Sequence, residues 1–200
     1  MPLLIRNARI LTLGAGARPR RGKELSDLGI IPSGEVLIAD DKIAAVGAKV
    51  EAPADVETID AQGRVLMPGF VDCHTHACWA GDRLAEWEMK LRGVPYLEIL
   101  KQGGGIHSTV KAVREATQKQ LAANLRDRLG AMLREGTTTV EVKSGYGLNT
   151  EAEMKMLRAI RRAAAEWPGT LVPTALLGHA FEGELDEYAR MVVKDMLPEV

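Results

Sequence analysis

From residue 65 to its end the chain alternates strand-like and helix-like segments, and this alternation limits the fold more than any other feature. A strand is predicted at about 65–73. An irregular stretch over about 77–109 follows, holding Trp79, Trp87, Tyr96 and the glycines 103–105. Thr117-Gln118-Lys119-Gln120 has the form of a capping box, and Leu121, Leu125, Leu129, Met132 and Leu133 recur at helical spacing, so a helix is predicted over 118–135. Gly136 is its predicted stop. A second strand is read at Thr137 to Lys143. Thr150-Glu151-Ala152-Glu153 reads as another capping box, opening a helix with Met154, Leu157, Ile160 and Ala164 on one face and an end by Trp167-Pro168. A third strand at about 171–177 and a helix at about 184–196 complete the series. Such a β-α-β-α-β-α order predicts a parallel sheet or barrel.

Residues 1–64 read differently, as short strands and turns. Leu3 to Leu13 is mostly apolar, and Gly34 to Gly47 looks like a hairpin turning at Asp40-Asp41-Lys42. Glu57 to Met67 suggests another strand pair with its turn at Gln62-Gly63. Gly14 to Gly34, rich in Gly, Pro and Arg, is expected to be a surface loop with its basic run Arg18 to Lys23 in water. The expected class is therefore α/β. A small β-rich, sandwich-like domain (1–64) precedes part of a TIM-type (β/α) barrel (65–200). A full barrel of this type takes about 250 residues. Residues 65–200 supply three β/α units, so the chain is expected to be the first part of a longer enzyme.

Composition narrows the partners. Hydrophobic residues make up 46% and charged residues 26%, ordinary for a globular chain. A net charge of −1 argues against nucleic acid or an anionic membrane as the main partner. There is no membrane-spanning run, and Arg6 interrupts the apolar start, which does not read as a signal peptide. Cys73 and Cys78 are the only cysteines, too few for a disulfide scaffold, which suits the cytoplasm. Both are expected to be small buried hydrophobes rather than metal ligands.

The chemistry-bearing residues fall at predicted strand ends, where an α/β barrel keeps its site. Pro68-Gly69-Phe70-Val71-Asp72-Cys73-His74-Thr75-His76 sets two histidines two apart. On a strand they share a face and can hold one metal ion from one side. Arg83 follows in Ala80-Gly81-Asp82-Arg83. It suits a planar carboxylate, which a guanidinium binds through two donors, or it pairs on the surface with Asp82 or Glu86. Tyr96 and Tyr146 are both expected in loops. Tyr146, between Gly145 and Gly147 after the second strand, either contacts substrate or closes the loop over the core. His179, in Leu177-Gly178-His179-Ala180, follows the third strand, and His107 is read as a loop histidine. Lys101-Gln102-Gly103-Gly104-Gly105 lacks the Gly-Lys-Ser/Thr of a phosphate loop and reads as a turn near the site.

Together these segments carry a resemblance. The β-rich lead-in with Ile59-Asp60-Ala61, and Pro68 through His76, resemble the amidohydrolase superfamily of metal-dependent hydrolases. Gly81-Asp82-Arg83, Gly93 to Ile99, Gly103 to Ile106, Glu141 to Leu148 and Leu177 to Ala180 are similar to the imidazolonepropionase family of histidine degradation. That resemblance implies hydrolysis of the ring amide of 4-imidazolone-5-propanoate to N-formimidoyl-L-glutamate. It implies one zinc or iron ion held in part by His74 and His76, substrate contacts from Arg83, Tyr96, Tyr146 and His179, and a catalytic role for His179. It is compatible with a homodimer. A further histidine, an aspartate and a proton-handling glutamate would come from later strands. Two other readings stay open: another amidohydrolase, such as a heterocycle deaminase, and a non-catalytic truncated fragment.

Overall fold

The computed structural model describes residues 1–14 and 18–200. It divides into two compact units, Met1–Pro68 and Gly69–Val200.

The first unit is a five-stranded mixed sheet. β1 (Leu3–Leu11) lies between β2 (Ile30–Ala39), which runs antiparallel to it, and two short parallel strands, β4 (Glu57–Asp60) and β5 (Val65–Leu66). β3 (Lys42–Gly47) completes the order β3-β2-β1-β4. The hairpin forms where expected: Asp40 and Asp41 both adopt positive φ, at 51° and 58°, and make a two-residue turn. The expected pairing of the strands on either side of Gln62-Gly63 does not occur. β4 and β5 line up one after the other along β1, since the turn shifts the chain sideways rather than reversing it. The expected loop over 14–34 also needs correction. Gly22–Ser26 is a 3₁₀ turn and β2 already begins at Ile30, with Ile31 opposite Ile10 and Gly34 opposite Ala8. Residues 15–17 of that expectation lie outside the described residues. Gly34 is required here, because a Cβ would fall 2.7 Å from the Gly47 carbonyl oxygen. Ala8, Ile10 and Val36 form the buried centre of the unit. The sheet is what the described residues build; they do not make the second layer of a sandwich.

The second unit is built on a parallel three-stranded sheet, β6 (Phe70–Asp72), β7 (Thr137–Lys143) and β8 (Thr170–Thr174), in that order. The single strand predicted over 65–73 is therefore two strands, β5 and β6, interrupted at Met67-Pro68-Gly69, where proline can donate no ladder hydrogen bond. Between β6 and β7 lie four helices, not one. α1 (Leu84–Leu91), α2 (Tyr96–Lys101) and α3 (Ile106–Glu115) occupy the stretch predicted to be irregular, and α4 (Gln118–Arg134) follows. The first three are short and broken by Gly93 and Gly103–Gly105, which hides their periodicity. Tyr96 thus opens a helix and His107 lies in the first turn of α3; neither is in a loop.

α4 begins as its sequence predicts. Thr117 Oγ1 accepts from the Gln120 amide and the Gln120 side chain accepts from the Thr117 amide. Gly136 closes it at φ 95°. α5 (Thr150–Glu166) joins β7 to β8, and α6 (Leu185–Met191) continues into a π-helical turn at Val192–Met196. The cap of α5 is Asn149, whose side chain accepts from the Ala152 amide, one residue before the predicted Thr150. The third strand ends at Thr174 rather than 177. No helix among the described residues is long and apolar enough to cross a membrane.

The core forms where α4 and α5 cover one face of β7. Leu121, Leu125 and Leu129 of α4 and Met156, Ala159, Ile160 and Ala163 of α5 meet Val140 and Val142. All nine side chains are fully buried, and Cys78 joins them. Cys73 is exposed, contrary to expectation, because it lies just past the end of β6 where no helix covers it. Burial pushes the Cys78 thiol up to about 12. Two outcomes follow. Leu125→Ala should cost about 2–5 kcal/mol, read from the midpoint of urea unfolding. With a thiol reagent at pH 8, Cys78 should resist labelling in the folded protein and react only on unfolding.

Candidate active site

Parallel strands send their carboxyl ends the same way, so the segments after β6, β7 and β8 meet at one edge of the sheet. These segments carry His74 and His76, Tyr146, and His179. The structure brings the four rings together. His76 and His179 have centroids 4.7 Å apart, His74 and His76 5.7 Å, His76 and Tyr146 5.6 Å, and Tyr146 and His179 5.5 Å. His76 is at the centre of the group.

The histidine pair lies beyond the ladder, since β6 ends at Asp72. What holds it is Thr75, between the two. Its amide donates to Glu141 Oε2 (3.1 Å), its hydroxyl to the Glu141 carbonyl (2.6 Å), and its own carbonyl accepts from the Lys143 amide (3.1 Å). Asp72 is used locally, accepting from the His74 amide at 3.3 Å. His76 Nδ1 is buried with no hydrogen-bond partner. The His76 pKa is pushed down, first by burial, then by the positive charges available at His179, Lys143 and His74, so the ring is neutral at pH 7.

Glu141 and Lys143 point to the face of β7 opposite Val140 and Val142. Their side chains touch and are only 15% and 10% exposed. Burial raises the Glu141 pKa, but hydrogen bonds from Lys143, Thr174 and the Thr75 amide outweigh it, and the net direction is down.

The loop carrying Tyr146 is tied from beneath. The Glu153 carboxylate, fully buried in the first turn of α5, accepts from three backbone amides: Gly145 (2.8 Å), Gly147 (2.6 Å) and Leu148 (3.0 Å). Gly145, at φ 108°, leaves the space that His179 occupies; a Cβ there would lie 2.9 Å from the His179 Cβ. Glu153 was legible only as the last member of a capping box, whereas the tertiary fold turns it back to the loop before the helix. Burial raises the Tyr146 pKa, and Arg83 opposes this.

A cavity of about 470 Å³ opens beside the ring cluster, lined among others by His76, Trp79, Asp82, Arg83, Thr109 and Tyr146. Arg83 precedes α1 and donates through Nε (2.9 Å) and Nη2 (2.7 Å) to Thr109 Oγ1 on α3. Among the described residues no carboxylate pairs with it, neither Asp82 nor Glu86. Glu86 instead accepts from the Gly105 amide at 2.9 Å. Tyr96 does not line this cavity; Lys90 sits 5.8 Å from its ring centroid. Thr109, Glu141, Lys143 and Glu153 are the residues of the site that sequence reasoning missed. The two charges alternating with Val140 and Val142 at the end of the strand were the one available signal.

The two histidine rings meet edge to face and both offer ring nitrogens, and the buried His76 Nδ1 without a partner suits a metal ligand. Among the described residues no group of three or more His, Cys, Asp and Glu side chains is arranged to hold an ion, so the pair can supply only part of a coordination shell.

Residues 57–95 match the model of the Amidohydrolase family. Nearly the whole chain is similar to imidazolonepropionases. It is 43% identical to that of Alkaliphilus oremlandii over 96% of this chain and 47% of the relative, and 44% identical to that of Geobacillus kaustophilus over 100% and 50%. The chain thus spans about half the length of the relatives it matches. In fold it is similar to an atrazine chlorohydrolase from Arthrobacter aurescens crystallised with zinc (TM-score 0.58, 19% identity, 86% of this chain and 35% of that one). It is also similar to a prolidase (TM-score 0.53, 17% identity, 88% and 32%). The chain is a mixed α/β chain with amidohydrolases as its structural neighbours.

Glu153→Gln should deprive all three loop amides of their charged acceptor and turn an NH2 group toward at least one of them. The expected result is a loss of about 1–3 kcal/mol in stability. Hydrogen exchange should speed up at Gly145, Gly147 and Leu148 more than in the α4–α5 core, which a peptide-resolved exchange experiment reads directly.

Proposed function

We propose that this chain supplies the first part of an imidazolonepropionase, an enzyme that hydrolyses the ring amide of 4-imidazolone-5-propanoate to N-formimidoyl-L-glutamate. The observation that carries the reading is the convergence of His76, Tyr146 and Arg83 on one cavity, with His179 packed against the first two rings, in a chain 43–44% identical to such enzymes. On this reading β6, β7 and β8 are the first three strands of a TIM-type barrel, and Glu141 and Lys143 face its interior.

Arg83 fits the propanoate tail. Thr109 takes the Nε edge of the guanidinium, which fixes the plane and leaves Nη1 and one Nη2 proton for a carboxylate. Tyr146 closes the other side of the cavity with a phenol kept protonated by burial, so it can donate to a ring heteroatom. His179, exposed and in contact with both His76 and Tyr146, is placed to polarise the scissile carbonyl. Tyr96 stands apart from these groups, and its share in binding would require α2 to bring it nearer.

His74 and His76 would hold one zinc or iron ion, with further ligands from outside the described cluster. When bound, such an ion supplies a water acidic enough to give hydroxide near pH 7. The ring-opening also needs a proton for the leaving nitrogen, a step for which His179, beside the His76 and Tyr146 rings, is the candidate among the described residues. The substrate is a small molecule, and the enzyme would work in the cytoplasm, as two unpaired cysteines suit. A homodimer is compatible with this reading.

Arg83→Lys in the full-length protein should lower kcat/KM for 4-imidazolone-5-propanoate by roughly 10- to 100-fold, about 1–3 kcal/mol, as a point charge replaces the fork. Unchanged kcat/KM would remove Arg83 from the site. Removing metal with a chelator should abolish turnover, and added zinc or iron(II) should restore it. Imidazole carboxylates should compete with substrate, and neutral heterocycles should not; the reverse preference would favour a deaminase.

A further inference from the structure

We infer that Glu141 is a positioning residue for the His74–His76 pair, acting through Thr75 and held in place by Lys143. The inference rests on the proposal that these histidines ligate a metal.

The segment 73–76 has left the β ladder, so strand geometry no longer dictates where its side chains point. Thr75 replaces that control. Both of its backbone polar groups and its hydroxyl bond to Glu141 or Lys143, at 3.1, 3.1 and 2.6 Å. With the middle residue tied to β7 at three atoms, the backbone that carries its two neighbours is held, and their rings meet edge to face at 5.7 Å.

Glu141 is the hub. Its carboxylate takes the Thr75 amide from the chain after β6 and Lys143 from its own strand, both on Oε2. It therefore ties β7 to the segment after β6 where they approach the ring cluster. Lys143 supplies the charge that lets the carboxylate remain ionised with little exposure to water. Neither residue ligates on this view. The pair sets the angle and spacing at which two imidazoles approach an ion, as groups behind metal ligands commonly do.

Metal affinity is the direct readout, measured on the full-length protein by competition with a chromophoric chelator for zinc. Glu141→Ala should weaken zinc binding by about 10- to 100-fold. Glu141→Gln keeps an oxygen for the Thr75 amide and should stay within a few-fold of wild type. Thr75→Val, which loses only the hydroxyl bond, should fall between them. The visible spectrum of the cobalt(II) form should change in Glu141→Ala and Thr75→Val and persist in Glu141→Gln, a shift that general loosening of the fold would not produce selectively. The double variant Glu141→Ala, Lys143→Met removes the stranded ammonium and should still bind weakly. If the single alanine variant does not fold, the valine and double variants carry the test. Wild-type affinity in Glu141→Ala or Thr75→Val, or equal loss in Glu141→Gln and Glu141→Ala, would overturn the inference. A wild-type protein that binds no zinc, iron or cobalt would instead overturn the metal reading beneath it.

Discussion

The second unit depends on the two faces of β7. Val140 and Val142 are driven against α4 and α5, where they lose all contact with water. Alternation then leaves Glu141 and Lys143 no choice but the other face. Burying the valines stabilises the strand by roughly a few kcal/mol in transfer terms, from 25 cal/mol per Å² of apolar surface. The same burial orients a carboxylate and an ammonium toward the histidine segment. Packing on one side of a single strand thus decides the chemistry available on the other.

A second buried carboxylate works in the same way one loop later. Glu153 is fully enclosed and accepts three backbone amides, a cost in desolvation that only complete hydrogen bonding offsets. The return is a rigid Gly145-Tyr146-Gly147 turn. Both glycines are needed for close approach: a Cβ at Gly147 would sit 2.5 Å from the Glu153 amide nitrogen, and one at Gly145 would strike His179. Arg114 adds a tie from outside, donating to the Gly147 carbonyl at 2.8 Å. Tyr146 and His179 therefore meet because of residues that touch neither ring. Farther round the cavity, Arg128 of α4 donates to the carbonyls of Ala77 and Trp79 and lies 3.5 Å over the Trp79 ring, which fixes the wall between the histidines and Arg83.

The sequence by itself determined the elements whose signals are local. α4, β7 and α5 came from unbroken periodicity and from caps such as Thr117–Gln120, and the Asp40-Asp41 turn came from residues that tolerate positive φ. It also located His74, His76, Tyr146 and His179 after strands, because a parallel sheet collects whatever follows its strands at one edge. Tertiary structure alone decided the rest. The short helices α1–α3 gain their stability from packing rather than from propensity over their 6–10 residues, so no window of sequence announced them. Tyr96 was misplaced for that reason. The partners of Thr75, Arg83 and Gly145 lie 66, 26 and 8 residues away, at Glu141, Thr109 and Glu153. A hydrogen bond depends on distance in space, and the sequence pattern constrains only distance along the chain. What was legible, then, was which side chains could do chemistry; which of them are held in place, and by what, was fixed only when the strands came together.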